Sequence, residues 1–306
     1  MPESYDIMRY ELAAALLPPK WRRIALDMPD WQKTQAEELR LRAGHPLTVL
    51  LPEGERWAAG EQQIVTTQDI EQLCDVVTAY SRYAATETMA QGYLSAPGGF
   101  RVGLCGTAVM ENGNCKNLRH LSSAVIRIAK EKIGLSDTLL KEVFVNDEFA
   151  STLVVAPPGA GKTTLLRDMV RNLSNGTEQT PAYRIALVDE RGEIAGSYHG
   201  APQLSVGCHT DIMDGVPKSI GILMMLRAVN PQIIAVDEIT AREDILAMTQ
   251  AANCGVRLLA TIHGSDLKEL KRKPLYRKLL ELHVFEKAVV ITNDGDGRRY
   301  TVEELL

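Results

Sequence analysis

The chain has 306 residues, 45% of them hydrophobic and 24% charged, with a formal net charge of −5. Those figures describe an ordinary globular protein of about two domains, and the acidic balance gives no global drive towards nucleic acid. The longest wholly apolar stretches, such as Ile222 to Leu226, fall far short of the roughly 18 residues a membrane span needs.

The first third reads as mixed α and β. Residues 5–17 suggest a helix, in which the apolar patch Ala13 to Leu17 follows acidic Glu3, Asp6 and Glu11 and ends at Pro18-Pro19, a pattern unlike a secretory signal. Leu47 to Leu51 is a short strand. Ile70, Leu73, Cys74, Val77, Tyr80 and Ala84 recur at helical spacing, with Thr66 or Thr67 as N-cap. Arg101 to Met110 and Lys116 to Ile128 read as strands joined through Asn112-Gly113, a strong hairpin signal. Residues 1–134 are therefore expected to form an α+β domain. The polar passage Ala129 to Asp137 serves as linker, and a helix is expected over Ser136 to Phe149. The five cysteines, Cys74, Cys105, Cys115, Cys208 and Cys254, include no C-x-x-C pair, which argues against a disulfide framework or zinc module and for a reducing, cytosolic compartment.

Residues 135–306 alternate strands and helices, the pattern of a parallel sheet covered on both faces. The expected strands are Thr152 to Val155, Arg184 to Val188, Ile233 to Val236 and Arg257 to Ile262. The first runs into Ala156-Pro157-Pro158-Gly159-Ala160-Gly161-Lys162-Thr163-Thr164, which has the turn chemistry and the Gly-Lys-Thr of a phosphate-binding loop at a helix N-terminus. Small residues let successive backbone N–H groups converge on phosphate oxygens, Lys162 would reach the β- and γ-phosphates, and the Thr163 hydroxyl would ligate Mg²⁺. Ala156 departs from the usual first glycine. The competing reading is an incidental turn.

Ligands in such sheets sit at the carboxyl ends of strands, where this chain places Asp189-Glu190, Asp237-Glu238 and Thr261-Ile262-His263-Gly264. Two Val-Asp-Glu endings compete to hold Mg²⁺ and activate water. Asp237 is assigned to the metal and Glu238 to the attacking water. Asp189 and Glu190 would form a second acidic box near metal and γ-phosphate; alternatively, Asp189 caps the loop that follows and Glu190 is solvated. His263 would bond the γ-phosphate or the water of Glu238, or else serve as a structural histidine. The stretch Gly196 to Gly215 is too long for a simple connector and is expected at a subunit interface or in a moving element. The basic run Lys268 to Lys278 reads as a docking patch or as a solvated face.

These motifs resemble the stage III sporulation protein AA family of type II and type IV secretion ATPases. The resemblance rests on Asp189-Glu190-Arg191-Gly192-Glu193-Ile194-Ala195-Gly196, Pro202-Gln203, Val206-Gly207, Thr210-Asp211, Met225-Leu226-Arg227 through Asn230-Pro231 to Asp237-Glu238-Ile239, and Ala260 to Gly264. Glu38 to Arg42, Gly98 to Leu104 and Ile126-Arg127-Ile128 extend it over most of the chain, while Thr240 departs from a usual glycine. It implies a RecA-like P-loop ATPase domain with a mostly parallel sheet behind a smaller N-terminal α+β domain, ATP and Mg²⁺ as ligands bound between the two, and a homo-oligomeric, hexameric ring. Arg101 and Arg127 are the candidates for N-terminal arginines that reach the phosphates, the alternative being exposed strand residues. The resemblance further implies a cytoplasmic protein on the mother-cell side, held peripherally at the forespore membrane through integral membrane proteins of the sporulation channel, with no obligatory nucleic acid. The task would be to power assembly of, or transport through, that channel. A nucleic-acid motor and a nucleotide-gated scaffold are the alternatives from other classes.

Overall fold

In the computed structural model, residues 2–58, 63–79, 86–177, 180–293 and 297–306 are described. They divide into two compact units, one of residues 1–130 with 196–203, the other of residues 131–195 with 204–306.

The first unit opens with α1 (Pro2–Ala14), α2 (Pro19–Leu26) and α3 (Asp30–Gln35), followed by β1 (Glu38–Arg42), β2 (Thr48–Leu51) and β3 (Gly54–Trp57). Then come α4 (Thr67–Val77), α5 (Thr86–Ala90), β4 (Tyr93–Ala96), β5 (Phe100–Glu111) and β6 (Asn114–Arg127). The strands form an antiparallel sheet in the order β3-β2-β1-β6-β5-β4. Alternation sets its buried face: Leu39 and Leu41 of β1 point into a core with Trp21, Phe100 and Ile126, while Glu38, Arg40 and Arg42 do not. Helix α4 starts as its sequence dictates, because Thr66 Oγ1 accepts from Asp69 N at 3.2 Å while the Asp69 carboxylate accepts from Thr66 N at 2.7 Å. Tyr80 and Ala84, assigned to the same helix by spacing, lie outside the described residues. The β5–β6 turn sits at Asn112 and Gly113, both with positive φ, as a tight hairpin turn requires. Gln203 belongs here too: its Oε1 accepts from Gly98 N at 3.0 Å.

The second unit starts with a 3-10 turn at Leu139–Val143 and the small hairpin β7 (Phe144–Val145) and β8 (Glu148–Phe149). The helix expected over Ser136 to Phe149 is thus corrected. Asn146 and Asp147 turn the chain with positive φ, and Phe144, Phe149 and Tyr183 pack ring against ring, so aromatic side chains and a two-residue turn prevail over helical spacing. Next come β9 (Thr152–Ala156), α6 (Lys162–Asn175), β10 (Ile185–Asp189), β11 (Thr210–Asp214) and α7 (Lys218–Ala228). The unit continues with β12 (Ile233–Val236), α8 (Arg242–Asn253), β13 (Arg257–His263), α9 (Leu267–Arg272), α10 (Pro274–Glu281), β14 (Lys287–Asn293) and β15 (Arg298–Glu304).

The sheet runs β11-β10-β12-β13-β9-β14-β15, parallel throughout except for the antiparallel edge strand β15. The strands β11, β14 and β15 were not expected. Burial on both faces explains the unbroken apolar runs of β9 and β10. Val154 and Ala156 meet Leu166, Met169 and Val170 of α6 on one face. Leu153 and Val155 lie on the other, in the layer of Ile222, Met248, Leu270 and Leu279 from α7 to α10.

The passage expected as a linker is fastened to α6 over its second half. Buried Asp168 accepts from Gly134 N at 3.1 Å, Ser136 N at 2.8 Å and Ser136 Oγ at 2.7 Å, and pairs with Arg171 at 2.8 Å. Replacing Asp168 by Ala strands those donors inside the protein. Urea unfolding followed by circular dichroism should show a loss of about 2–4 kcal/mol, from orphaned buried donors at roughly 1–3 kcal/mol each, partly relaxed.

Candidate functional site

Register places the site. Ala156, the last residue of β9, pairs with His263 at the end of β13, and Val236, the last of β12, pairs with Ala260, so Pro157, His263 and Asp237 emerge at one edge of the sheet. Ala156 is a buried strand residue without positive φ, which is why glycine is not needed there. The left-handed conformation falls on Gly159 and on Gly161, whose φ of 94° turns the loop into α6 as its N-cap. A cavity of about 380 Å³ opens on this loop, within the range of small-molecule sites. Pro158, Gly159, Gly161, Lys162, Thr163 and Thr164 line one wall; Pro157 and Ala160 shape the loop behind it.

The facing wall carries Asp237, Glu238 and His263. Asp237 is held at both oxygens. Oδ1 accepts from Thr261 Oγ1 and from Glu238 N, each at 2.8 Å, and Oδ2 accepts from Thr163 Oγ1 at 3.3 Å. The P-loop threonine and the end of β12 thus present a hydroxyl and a carboxylate to one point. That hard-oxygen pair suits Mg²⁺, which takes one or two protein ligands and fills its octahedron with water and substrate phosphate.

Lys162, His263 and Glu238 form a chain. The Lys162 ammonium donates to Ala156 O at 3.1 Å and Pro157 O at 3.2 Å and lies 2.7 Å from His263 Nδ1, while His263 Nε2 lies 2.9 Å from Glu238 Oε1. An ammonium has no acceptor, so Nδ1 must accept; the neutral ring then carries its proton on Nε2 and donates to Glu238. Burial pushes the Lys162 pKa down, and the Glu238 and Asp237 carboxylates pull against it.

Glu190 lines the cavity in an ion pair with Lys218, a residue the sequence analysis did not single out. Lys218 is buried at the first turn of α7, where the helix dipole disfavours a cation. The Glu190 carboxylate offsets that cost. A lysine directly after Pro217, opening a mostly apolar helix, was the legible signal. Arg298 on β15 also lines the cavity and was missed, because β15 itself was not foreseen.

Asp189, expected at the metal, does not line the cavity and caps the following loop, the alternative the sequence left open. The residue is 1% exposed, and its carboxylate accepts from Glu193 N at 2.9 Å, Ile194 N at 3.0 Å and Ala195 N at 2.8 Å. Arg101 and Arg127 belong to the first unit, as register partners on β5 and β6. Arg101 stacks 3.9 Å from the Tyr93 ring centre, and Arg127 lies 3.5 Å from Glu38 Oε1 with its side chain 64% exposed.

Burial lifts the Asp189 carboxyl from 3.8 to about 6, with a further push from Asp214, while the three amide donors oppose the rise. A folded-state value above the unfolded one means that the native protein binds the extra proton. The group therefore adds stability as pH falls from about 6 towards 3.8, and its burial as an anion is a cost above that window. Denaturation across this range should show the protein gaining stability relative to Asp189→Asn as the pH is lowered. At neutral pH, Asp189→Ala should lose about 3 kcal/mol in urea unfolding, from three orphaned amides at roughly 1 kcal/mol each.

Comparison with known proteins bears on the family and the fold. The family model described as sporulation stage III, protein AA, matches residues 9–302. The stage III sporulation protein AA of Bacillus subtilis (strain 168) is 35% identical over 278 residues, spanning 90% of this chain and 88% of that protein. Among solved structures, the pilus retraction motor PilT with bound ADP superposes with a TM-score of 0.60 at 17% identity, over 88% of this chain and 78% of that one. The ATPase DotB of Yersinia pseudotuberculosis gives 0.58 at 16% identity, over 90% and 79%. At such identities the likeness establishes the fold, a RecA-like P-loop domain preceded by a smaller α+β domain. With loop, paired acids and histidine in one cavity and the family model matching nearly end to end, the chain belongs to the stage III sporulation protein AA family.

Proposed function

We propose that the protein is an ATPase that hydrolyses Mg·ATP to ADP and phosphate and uses the cycle as a motor. The observation that carries this reading is the bond from Thr163 Oγ1 to Asp237, which joins the phosphate loop to the acid of β12 beside the Lys162–His263–Glu238 chain. The N–H groups of Gly159 to Thr164 and the N-terminus of α6 would receive the β- and γ-phosphates, with Lys162 turning from the carbonyls of Ala156 and Pro157 to phosphate oxygen. Thr163 and Asp237 would hold Mg²⁺, which neutralises charge on the β- and γ-oxygens when bound. Glu238 would orient and deprotonate the attacking water, and the His263 proton on Nε2 keeps that carboxylate aimed. Glu190 is the second acid, held by Lys218.

At the level of the cell, the proposed task is to power assembly of, or transport through, the channel between mother cell and forespore during endospore formation. The support is the family match, together with the shared fold of PilT, itself a pilus retraction motor. The reading includes a hexameric ring on the cytoplasmic, mother-cell side, docked on integral membrane proteins of that channel. Among the described residues no helix is long and apolar enough to cross a membrane, which fits attachment through partners. Arg101 and Arg127 are proposed to reach the phosphates when the first unit closes on the nucleotide.

Phosphate-release assays test the chemistry. Lys162→Ala should remove measurable turnover; unaltered hydrolysis would overturn the assignment of the loop. Glu238→Gln should still bind ATP while kcat falls by about 10²- to 10⁴-fold, the range of a positioned general base. Full activity in that variant would transfer the role to Glu190.

A further inference from the structure

The hairpin of β14 and β15 flanks the phosphate loop on the side away from the acids. β14 pairs with β9 in parallel, Val290 beside Val155, on the flank opposite β13, and Arg298 pairs with Asn293 across the hairpin near its turn. Asn293 and Arg298 therefore lie beyond the carboxyl end of β9, where the loop begins.

The Arg298 guanidinium lies against the backbone of Gly161. A Cβ at that glycine would stand 2.7 Å from Nη1, 3.0 Å from Cζ and 3.5 Å from Nε. Arg298 also lines the cavity that holds Lys162 and Thr163.

Two of the other cations at the cavity have partners. Lys162 donates to two carbonyls and meets His263, and Lys218 is paired with Glu190. The Arg298 side chain has no hydrogen-bond or ion-pair partner among the described residues, although carboxylates also line the cavity. A permanently charged fork with five donors, set against a loop whose amides and lysine already favour an anion, adds to the repulsion there until an anion arrives. Strand order then says which part of the anion. Glu238 and His263 lie on the β12 and β13 side and mark the phosphate to be cleaved; Arg298 approaches from beyond β9, the other side.

We propose that Arg298 is a nucleotide-binding residue that grips the phosphates retained in ADP, a clamp on the part of the substrate that does not react. The inference rests on the ATP-binding reading of the cavity. A contact made equally to ATP, the transition state and ADP contributes uniform binding, which moves KM and Kd but not kcat.

Titration calorimetry with Mg·ADP and with Mg·ATP, alongside steady-state phosphate release, tests this on the unaltered chain, Arg298→Ala and Arg298→Lys. Arg298→Ala should raise Kd for both nucleotides by a similar factor, about tenfold or more for the loss of a charge-assisted contact. KM should rise with it, kcat should stay within about threefold of the unaltered protein, and Arg298→Lys should recover part of the affinity by restoring the charge without the fork. Unchanged Kd values overturn the proposal. So does a fall in kcat with ADP affinity intact, which would place the guanidinium on the transferred phosphate. If the unaltered chain takes up neither nucleotide, the reading of the loop itself is overturned, and that result is distinct from a loss confined to the variants. Arg298 is exposed, so the variants should retain the parent's far-UV spectrum and melting temperature.

Discussion

Everything at the candidate site depends on the mutual register of three parallel strands. β9, β13 and β12 are bonded so that Ala156, His263 and Val236 finish at one edge, and the next residues along have no ladder left to join. Their side chains and amides must turn to one another or to a ligand. Thr261 shows how tightly this is arranged: it is buried on β13, yet its hydroxyl reaches Asp237 on the neighbouring strand at 2.8 Å and aims the carboxylate at Thr163. A shift of one residue in the β12–β13 pairing would turn Thr261 to the other face and leave Asp237 unsupported.

Charge in the second unit is arranged on the same logic. The two acids that end β10 differ by a single position in sequence and entirely in surroundings. Asp189 faces inward and is consumed by three amides of its own loop; Glu190 faces the cavity and meets Lys218. The end of the strand accounts for the split: Asp189 is the last, buried residue of β10, and Glu190 stands in the turn just beyond it. Lys218 in turn occupies a helix start that repels it, a placement that depends on Glu190. Asp168 does for the segment after the first unit what Asp189 does for the loop after β10, gathering backbone donors around one buried carboxylate.

Much of this was legible beforehand, and particular residues show why. The apolar runs from Thr152, Ile185, Ile233 and Arg257 read as doubly covered strands and form them, and the Gly-Lys-Thr after the first of them opens α6. The Asn112-Gly113 turn and the Thr66 cap state their conformations locally, through positive φ and a side-chain acceptor. The misses share a different origin. Ser136 to Phe149 is expected as a helix, but Phe144 packs against Phe149 and Tyr183 instead. β11 is an edge strand with little burial, so it lacks the apolar run by which its neighbours were recognised.

The amino-acid sequence alone determined the fold class, the glycine-rich loop that opens α6 and the acids that follow the strands, because each of these is written in contiguous residues whose geometry is local. Only the tertiary structure decided that Glu190 and not Asp189 faces the cavity, that Lys218 answers Glu190, and that Arg298 stands beside Gly161. Those outcomes depend on which strands become neighbours and in what register, a choice made by burying both faces of the whole sheet at once.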